Sequence, residues 1–211
     1  MKSFNFNTIE NFDEHIEKSI PNYDLLISAI QSISEYFFIK DANIYDLGCS
    51  TGKLLKTIKT ECKKIGYDYS NLLPSSTNTE IFENVNLNDN FDLNNSCLVY
   101  SIFTMQFLNP EKRLNYIKNI YDGLNDGGAL IICEKIYQNQ GKFQDILSFS
   151  HYDYKLNNFS SNEILSKEKD LRYIMKPYSE IDLNSIMEKA GFTKYTSFWQ
   201  MFNFKAIIAV K

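Results

Sequence analysis

Residues 44–52 read Ile44-Tyr45-Asp46-Leu47-Gly48-Cys49-Ser50-Thr51-Gly52, a short apolar strand running into a turn with two glycines four residues apart. Lys53, Leu54, Leu55 and Ile58 then open a helix, so the segment predicts the strand, turn and helix that begin an α/β fold. Glycine at 48 lets the chain turn sharply and bring its backbone close to a ligand. Twenty residues beyond Gly48 stands Asp68, at the end of Lys64-Ile65-Gly66-Tyr67. A second strand there would present its carboxylate to two ribose hydroxyls. Alone, Gly48 and Gly52 could serve tight packing; with Asp68 at this distance they mark a nucleoside site.

The pattern Asp-x-Gly-x-x-x-Gly lacks the third glycine of the dinucleotide fingerprint and has no room for a pyrophosphate, which disfavours NAD and FAD. It resembles the first motif of class I methyltransferases, and that resemblance implies S-adenosyl-L-methionine (SAM) as cofactor.

The 211 residues are the size of one domain, able to bury about 70 per cent of the unfolded surface without disulfides or metal. Cys49, Cys62, Cys97 and Cys133 form no CxxC pair, and three sit in or beside apolar segments, as reduced thiols in a cytoplasmic protein do. The two histidines, His15 and His151, lack ligand spacing, so no metal is expected, and His15 reads as a surface or core residue. A net charge of -4 and a pI near 5.3 give no footprint for a phosphate backbone, and charge lends no support to a nucleic-acid partner. Lysines 53, 56, 59, 63 and 64 read as a solvated face. Met1–Asn11 has no secretory apolar core, and no run of 18 apolar residues occurs, so the expectation is a soluble, unexported chain that makes no membrane contact.

Leu26, Ile30, Ile33 and Phe37 predict an amphipathic helix over 25–38, within an amino-terminal helical cap over 1–40. Residues 69–95 are rich in Asn, Ser and Thr, with a weak strand near Ile81–Val85. Cys97–Phe103 reads as a central parallel strand; Asn109 and Pro110 then start a helix with Leu114, Ile117, Ile120 and Leu124 inward. Asp126-Gly127-Gly128 turns the chain into a buried strand, Ala129–Lys135. Helices near 143–154 and 181–190 follow, then strands 195–201 and 205–210 as a closing hairpin. The whole, 1–211, reads as a single doubly wound, Rossmann-like α/β sandwich, mostly parallel with an antiparallel carboxy-terminal hairpin.

Three blocks resemble the carboxy-S-adenosylmethionine synthases of tRNA wobble-uridine modification: Phe12-Asp13-Glu14 through Ser19-Ile20-Pro21-Asn22-Tyr23; Thr104-Met105-Gln106-Phe107-Leu108 with Tyr121–Leu130 and Glu134-Lys135; and Ala190-Gly191-Phe192 with Trp199–Phe204. The resemblance implies a homodimer that converts SAM and prephenate into carboxy-SAM. It implies a cofactor shell of Tyr23, Asp46, Gly48, Cys49, Ser50, Gly52, Asp68, Tyr69, Asn88, Ser101 and Ile102. The family holds the new carboxylate with an arginine; counted back without gaps from Ala190, that position is Glu168, with Lys167 and Lys169 as replacement charges. The family's fourth-strand asparagine appears as Ile102, and its acidic adenine contact is displaced near Asn86–Asp89. These departures favour a SAM-dependent methyltransferase with a small molecule or exposed nucleobase as acceptor, lined by Tyr23, His151, Tyr152 and Glu168, of which Tyr23, His151 and Glu168 are the catalytic candidates. Carboxy-SAM synthesis and a non-catalytic SAM-binding module are the alternatives.

Overall fold

The computed structural model describes residues 11–211; the first ten residues of the expected cap lie outside them. Two helices lead, α1 (Phe12–Ser19) and α2 (Tyr23–Ser34), the latter extended by a 3-10 turn to Phe37. Then come β1 (Asn43–Leu47), α3 (Lys53–Thr57), β2 (Lys63–Asp68), β3 (Glu80–Asn84) and β4 (Ser96–Ile102). A braced loop leads into α4 (Arg113–Gly123) and β5 (Leu124–Tyr137). The chain closes with α5 (Gly141–Lys155), α6 (Ser161–Ile174), the short β6 (Tyr178–Ser179), α7 (Glu180–Ala190), β7 (Lys194–Met201) and β8 (Phe204–Val210).

The sheet order is β3-β2-β1-β4-β5-β8-β7, with β6 beside the end of β5. The first five strands in that order are parallel, while β8 runs antiparallel to both its neighbours, β5 and β7, the closing hairpin the sequence pattern anticipates. Strand β1 is buried from Ile44 to Leu47 because both faces are covered: Ile44 points into the layer with Leu26, Ile30 and Leu55, Tyr45 into the one with Ile117, Ile120 and Met187.

Three local expectations give way. Helix α3 stops at Thr57, because Ile58 is extended. The inward residues of α4 are Arg113, Tyr116, Ile117 and Ile120; Leu114 is 41% exposed and Leu124 already belongs to β5. Helix α6, absent from the sequence reading, is started by Ser160, whose side chain accepts from the Glu163 N–H while Glu163 reaches back to the Ser160 N–H.

Candidate functional site

Strand order reverses between β1 and β4, and ligands of open α/β sheets sit beyond the carboxyl ends of strands at such a point. A cavity of about 560 Å³ opens there, walled by the ends of β1, β2, β4 and β5 and by α1, α2, α5 and α6.

The glycine turn is built around positive φ. Gly48 has φ 84° and donates its N–H to the Tyr67 carbonyl at 2.7 Å; a Cβ at this position would lie 2.2 Å from Thr104 Oγ1. Ser50, also left-handed at φ 48°, donates its N–H to Asp68 Oδ2 at 2.7 Å, and Ser70 N–H reaches Asp68 Oδ1 at 2.6 Å. One carboxylate thus ties the turn after β1 to the loop after β2, and each of its oxygens retains a lone-pair site. Ser50 Oγ is buried without a partner among the described residues. Beneath the turn, burial and the neighbouring Asp68 push Asp46 up to about 8, and burial keeps the Tyr23 hydroxyl protonated.

Helix α1 roofs the cavity with Phe12, Asp13, His15, Ile16 and Ser19. None of its residues is fully buried; Ile16 packs on the core, and polar ties hold the rest. Thr51 Oγ1 donates to Asp13 Oδ1 at 2.9 Å, Lys53 pairs with Glu17, and His151 Nε2 donates to the Ser19 carbonyl at 2.8 Å. That last bond places the His151 proton on Nε2. Burial, reinforced by Lys155, pushes the ring down to about 4, so at neutral pH His151 is an uncharged strut under the roof rather than an acid.

The loop after β4 is held from below. Glu134 accepts the Met105 N–H at 3.0 Å, Gln106 Oε1 accepts the Lys135 N–H at 2.9 Å, and buried Arg113 donates to the carbonyls of Gln106 and Leu108 at 3.1 and 3.0 Å. The guanidinium also lies 4.5 Å from the centre of the Tyr178 ring. These bonds fix Thr104, Gln106, Phe107 and Leu108 as cavity wall.

Of the residues singled out in the sequence, Tyr23, Asp46, Gly48, Cys49, Ser50, Asp68, Tyr69, Asn88, Ile102, His151, Lys167 and Glu168 line this one cavity. Asn88 Oδ1 is engaged by the Asn109 N–H at 2.8 Å. Gly52, Ser101, Tyr152 and Lys169 stand outside the lining. The missing Cβ of Gly52 would meet Phe82 and Pro74, so this glycine serves packing. Ser101 is fully buried and receives the Tyr116 hydroxyl at 2.8 Å. Sequence reasoning passed over Lys155 and assigned His15 no site; both line the cavity. A lysine ending a helix carries no signal of what that helix packs against.

The donor set fits a nucleoside: acceptor sites on Asp68 for a diol, an unpartnered hydroxyl on Ser50, and apolar Leu72, Val85, Leu87 and Ile102 for a purine. No family model matches the chain. Curated relatives do. The carboxy-S-adenosyl-L-methionine synthase of Staphylococcus epidermidis is 34% identical over 214 residues, covering 97% of this chain and 94% of the relative. The enzyme of the same name from Vibrio parahaemolyticus is 34% identical over 226 residues, covering 99% and 91%. Among solved structures, human N-acetylserotonin methyltransferase in complex with SAM shares the fold at a TM-score of 0.57 and 15% identity, with 88% of this chain spanning 55% of that one. LepI in complex with SAM does so at 0.53 and 12% identity, with 82% of this chain spanning 43% of that one. With a nucleoside cavity at the switch point of a methyltransferase-type sheet, and relatives alike over almost the whole length, the chain is a SAM-dependent transferase and belongs to the carboxy-S-adenosyl-L-methionine synthase family.

Proposed function

We propose that this chain makes carboxy-SAM from SAM and prephenate. The observation that carries the reading is the 34% identity, over nearly the full chain, to enzymes of that name. The cavity supports it: the carboxylate at the family's arginine position does not leave the wall negative, because Lys135 and Lys155 flank Glu168. Bound in the cavity, the sulfonium of SAM would supply a polarised methyl carbon with acidified C–H bonds. Asp68 would hold the ribose hydroxyls through its remaining lone pairs, Ser50 Oγ would find its partner on the nucleoside, and Tyr69 would cover it from the solvent side. Asp46, a carboxyl in the same lining, would offset the sulfonium charge when ionised, and the His151 strut would keep α1 closed over the site. The reading includes one domain over the chain and a cytoplasmic homodimer serving tRNA wobble-uridine modification. The dimer is supported by an exposed apolar row on α5, Phe143, Ile146 and Phe149, and the cytoplasm by four buried cysteines, none in a disulfide.

Mass spectrometry of the nucleoside released on denaturing the purified protein, together with an assay containing SAM and prephenate, tests the reading. Carboxy-SAM formed as prephenate disappears is the expected result. Unchanged prephenate, with S-adenosylhomocysteine (SAH) accumulating beside a methylated acceptor, overturns it in favour of methyl transfer.

A further inference from the structure

The β5 side of the cavity gathers four ionisable side chains. Lys135 lies near the carboxyl end of β5, Lys155 ends α5, and Lys167 and Glu168 are neighbours on α6. Glu168 stands between two of the lysines: Oε1 accepts from Lys155 Nζ at 3.2 Å, and Oε2 faces Lys135 Nζ at 3.7 Å. The side chains of Lys155, Glu168 and Lys135 are only 5, 13 and 14% exposed. Lys167 reaches the His15 ring. Two ammonium groups therefore share one carboxylate, while Asp13 is engaged by Thr51 and Asp68 by Ser50 and Ser70 at the other end.

A surplus of positive charge in a wall that water barely reaches is costly until an anion compensates it. Burial opposes the charge on Lys167 and Lys135, and Glu168 only partly offsets that. A lone lysine is a flexible point charge without the planar fork of arginine. Glu168 holds Lys155 by a hydrogen bond and draws Lys135 to its other oxygen by charge across 3.7 Å, which keeps the two lysines side by side, and each ammonium has three donors, so both keep some for a ligand.

We propose that Lys135 and Lys155, braced by Glu168, form a carboxylate-binding fork for the second substrate, a small organic acid. The proposal rests on the carboxylate-bearing substrate assigned above. Lys135 and Lys155 bind the anion, Lys167 adds charge beside them, and Glu168 is a positioning residue.

The test is Lys155→Met, with Lys135→Gln as the second variant should the first melt too low to assay. The fork predicts a roughly ten- to hundredfold rise in KM for prephenate, as expected for losing a hydrogen bond to a charged group, with kcat and the Kd for SAH little changed. Weakened SAH binding would mean that the lysines hold the nucleoside's own carboxylate, and overturns the fork; so does an unchanged KM. Glu168→Gln separates brace from competitor: a brace whose loss frees the lysines raises KM, a competitor for them lowers it, and the proposal requires the rise. Should the wild-type protein leave prephenate unconsumed, the activity reading fails on its own. The fork is then read by calorimetric titration of prephenate into the SAH complex: binding present in the wild type and lost in Lys155→Met supports it, and absence of binding in the wild type overturns it.

Discussion

Replacing Asp68 by asparagine separates two duties of one carboxylate. Each oxygen of Asp68 accepts one backbone N–H, from Ser50 at 2.7 Å and Ser70 at 2.6 Å, and keeps one acceptor site facing the cavity. Asparagine has a single oxygen; whichever way its amide sits, one loop N–H meets an NH₂ group that cannot accept. A hydrogen bond to a charged group contributes roughly 1.5–3 kcal/mol, so loosening the loops costs about 2 kcal/mol. For a chain of this length that lowers Tm by about 4–8 °C. On the ligand side at least one ribose bond is lost, which weakens SAH binding roughly ten- to hundredfold. Calorimetry with SAH and its 2′-deoxy analogue distinguishes the duties. The wild-type protein should prefer SAH, and Asp68→Asn should erase most of that preference. Equal weakening of both ligands, or SAH affinity within about threefold of wild type, refutes the ribose assignment and leaves Asp68 as a loop brace only.

Three further expectations follow from the same geometry. Gly48→Ala combines left-handed strain of about 1–2 kcal/mol with a Cβ placed 2.2 Å from Thr104 Oγ1, so Tm should fall by more than about 5 °C, and a melt indistinguishable from wild type contradicts it. Asp46, pushed up to about 8 by burial and by Asp68, is largely protonated at pH 7; a cationic sulfonium favours its carboxylate, so SAM binding should release a proton where SAH, with its uncharged sulfur, does not. Calorimetry in buffers of unlike ionisation heat reads this, and equal proton release for the two ligands rejects it. His151, ordinarily near 6.5 and pushed down to about 4 in the fold, takes up its proton more readily when unfolded, so stability present above pH 6.5 is lost as pH falls towards 4, by about 3 kcal/mol. Melting His151→Gln across that range should show a flatter acid limb than wild type; an identical limb removes His151 as its source.

What the sequence displayed and what it hid follow from how far apart the cooperating groups lie. Strand β1, its glycine turn and Asp68 were legible because burial on both faces and positive φ leave local marks: large apolar residues at 44, 45 and 47 beside one acid, and glycine where a side chain would collide. Periodicity misled at α4, where it placed Leu114 inward. Arg113 goes inward instead because its Nε and Nη2 donate to the carbonyls of Gln106 and Leu108 and the Tyr178 ring faces the guanidinium, with Nη1 alone lacking a hydrogen-bond partner among the described residues, and those partners are invisible along the helix's own sequence. Helix α6 did carry a start signal in Ser160 and Glu163, but its polar surface, with Ile164 alone buried, gave no apolar stripe to extend it.

The two ends of the cavity differ in the same way, and this bears on what each determines. The nucleoside end is made by residues 46–50 and 68–70, joined through backbone N–H groups and one carboxylate, so its geometry survives wherever the strand, turn and acid are retained. The other end is made by His15, Lys135, His151, Lys155, Lys167 and Glu168, which meet only because α1, β5, α5 and α6 converge. Single substitutions there change charge without disturbing the glycine turn, as the carboxylate at 168 between two lysines illustrates. On the proposed reading, the lysine end can vary its second substrate while the nucleoside end stays fixed, and that end, rather than the glycine turn, is where substitutions should shift the choice between carboxyl transfer and methyl transfer.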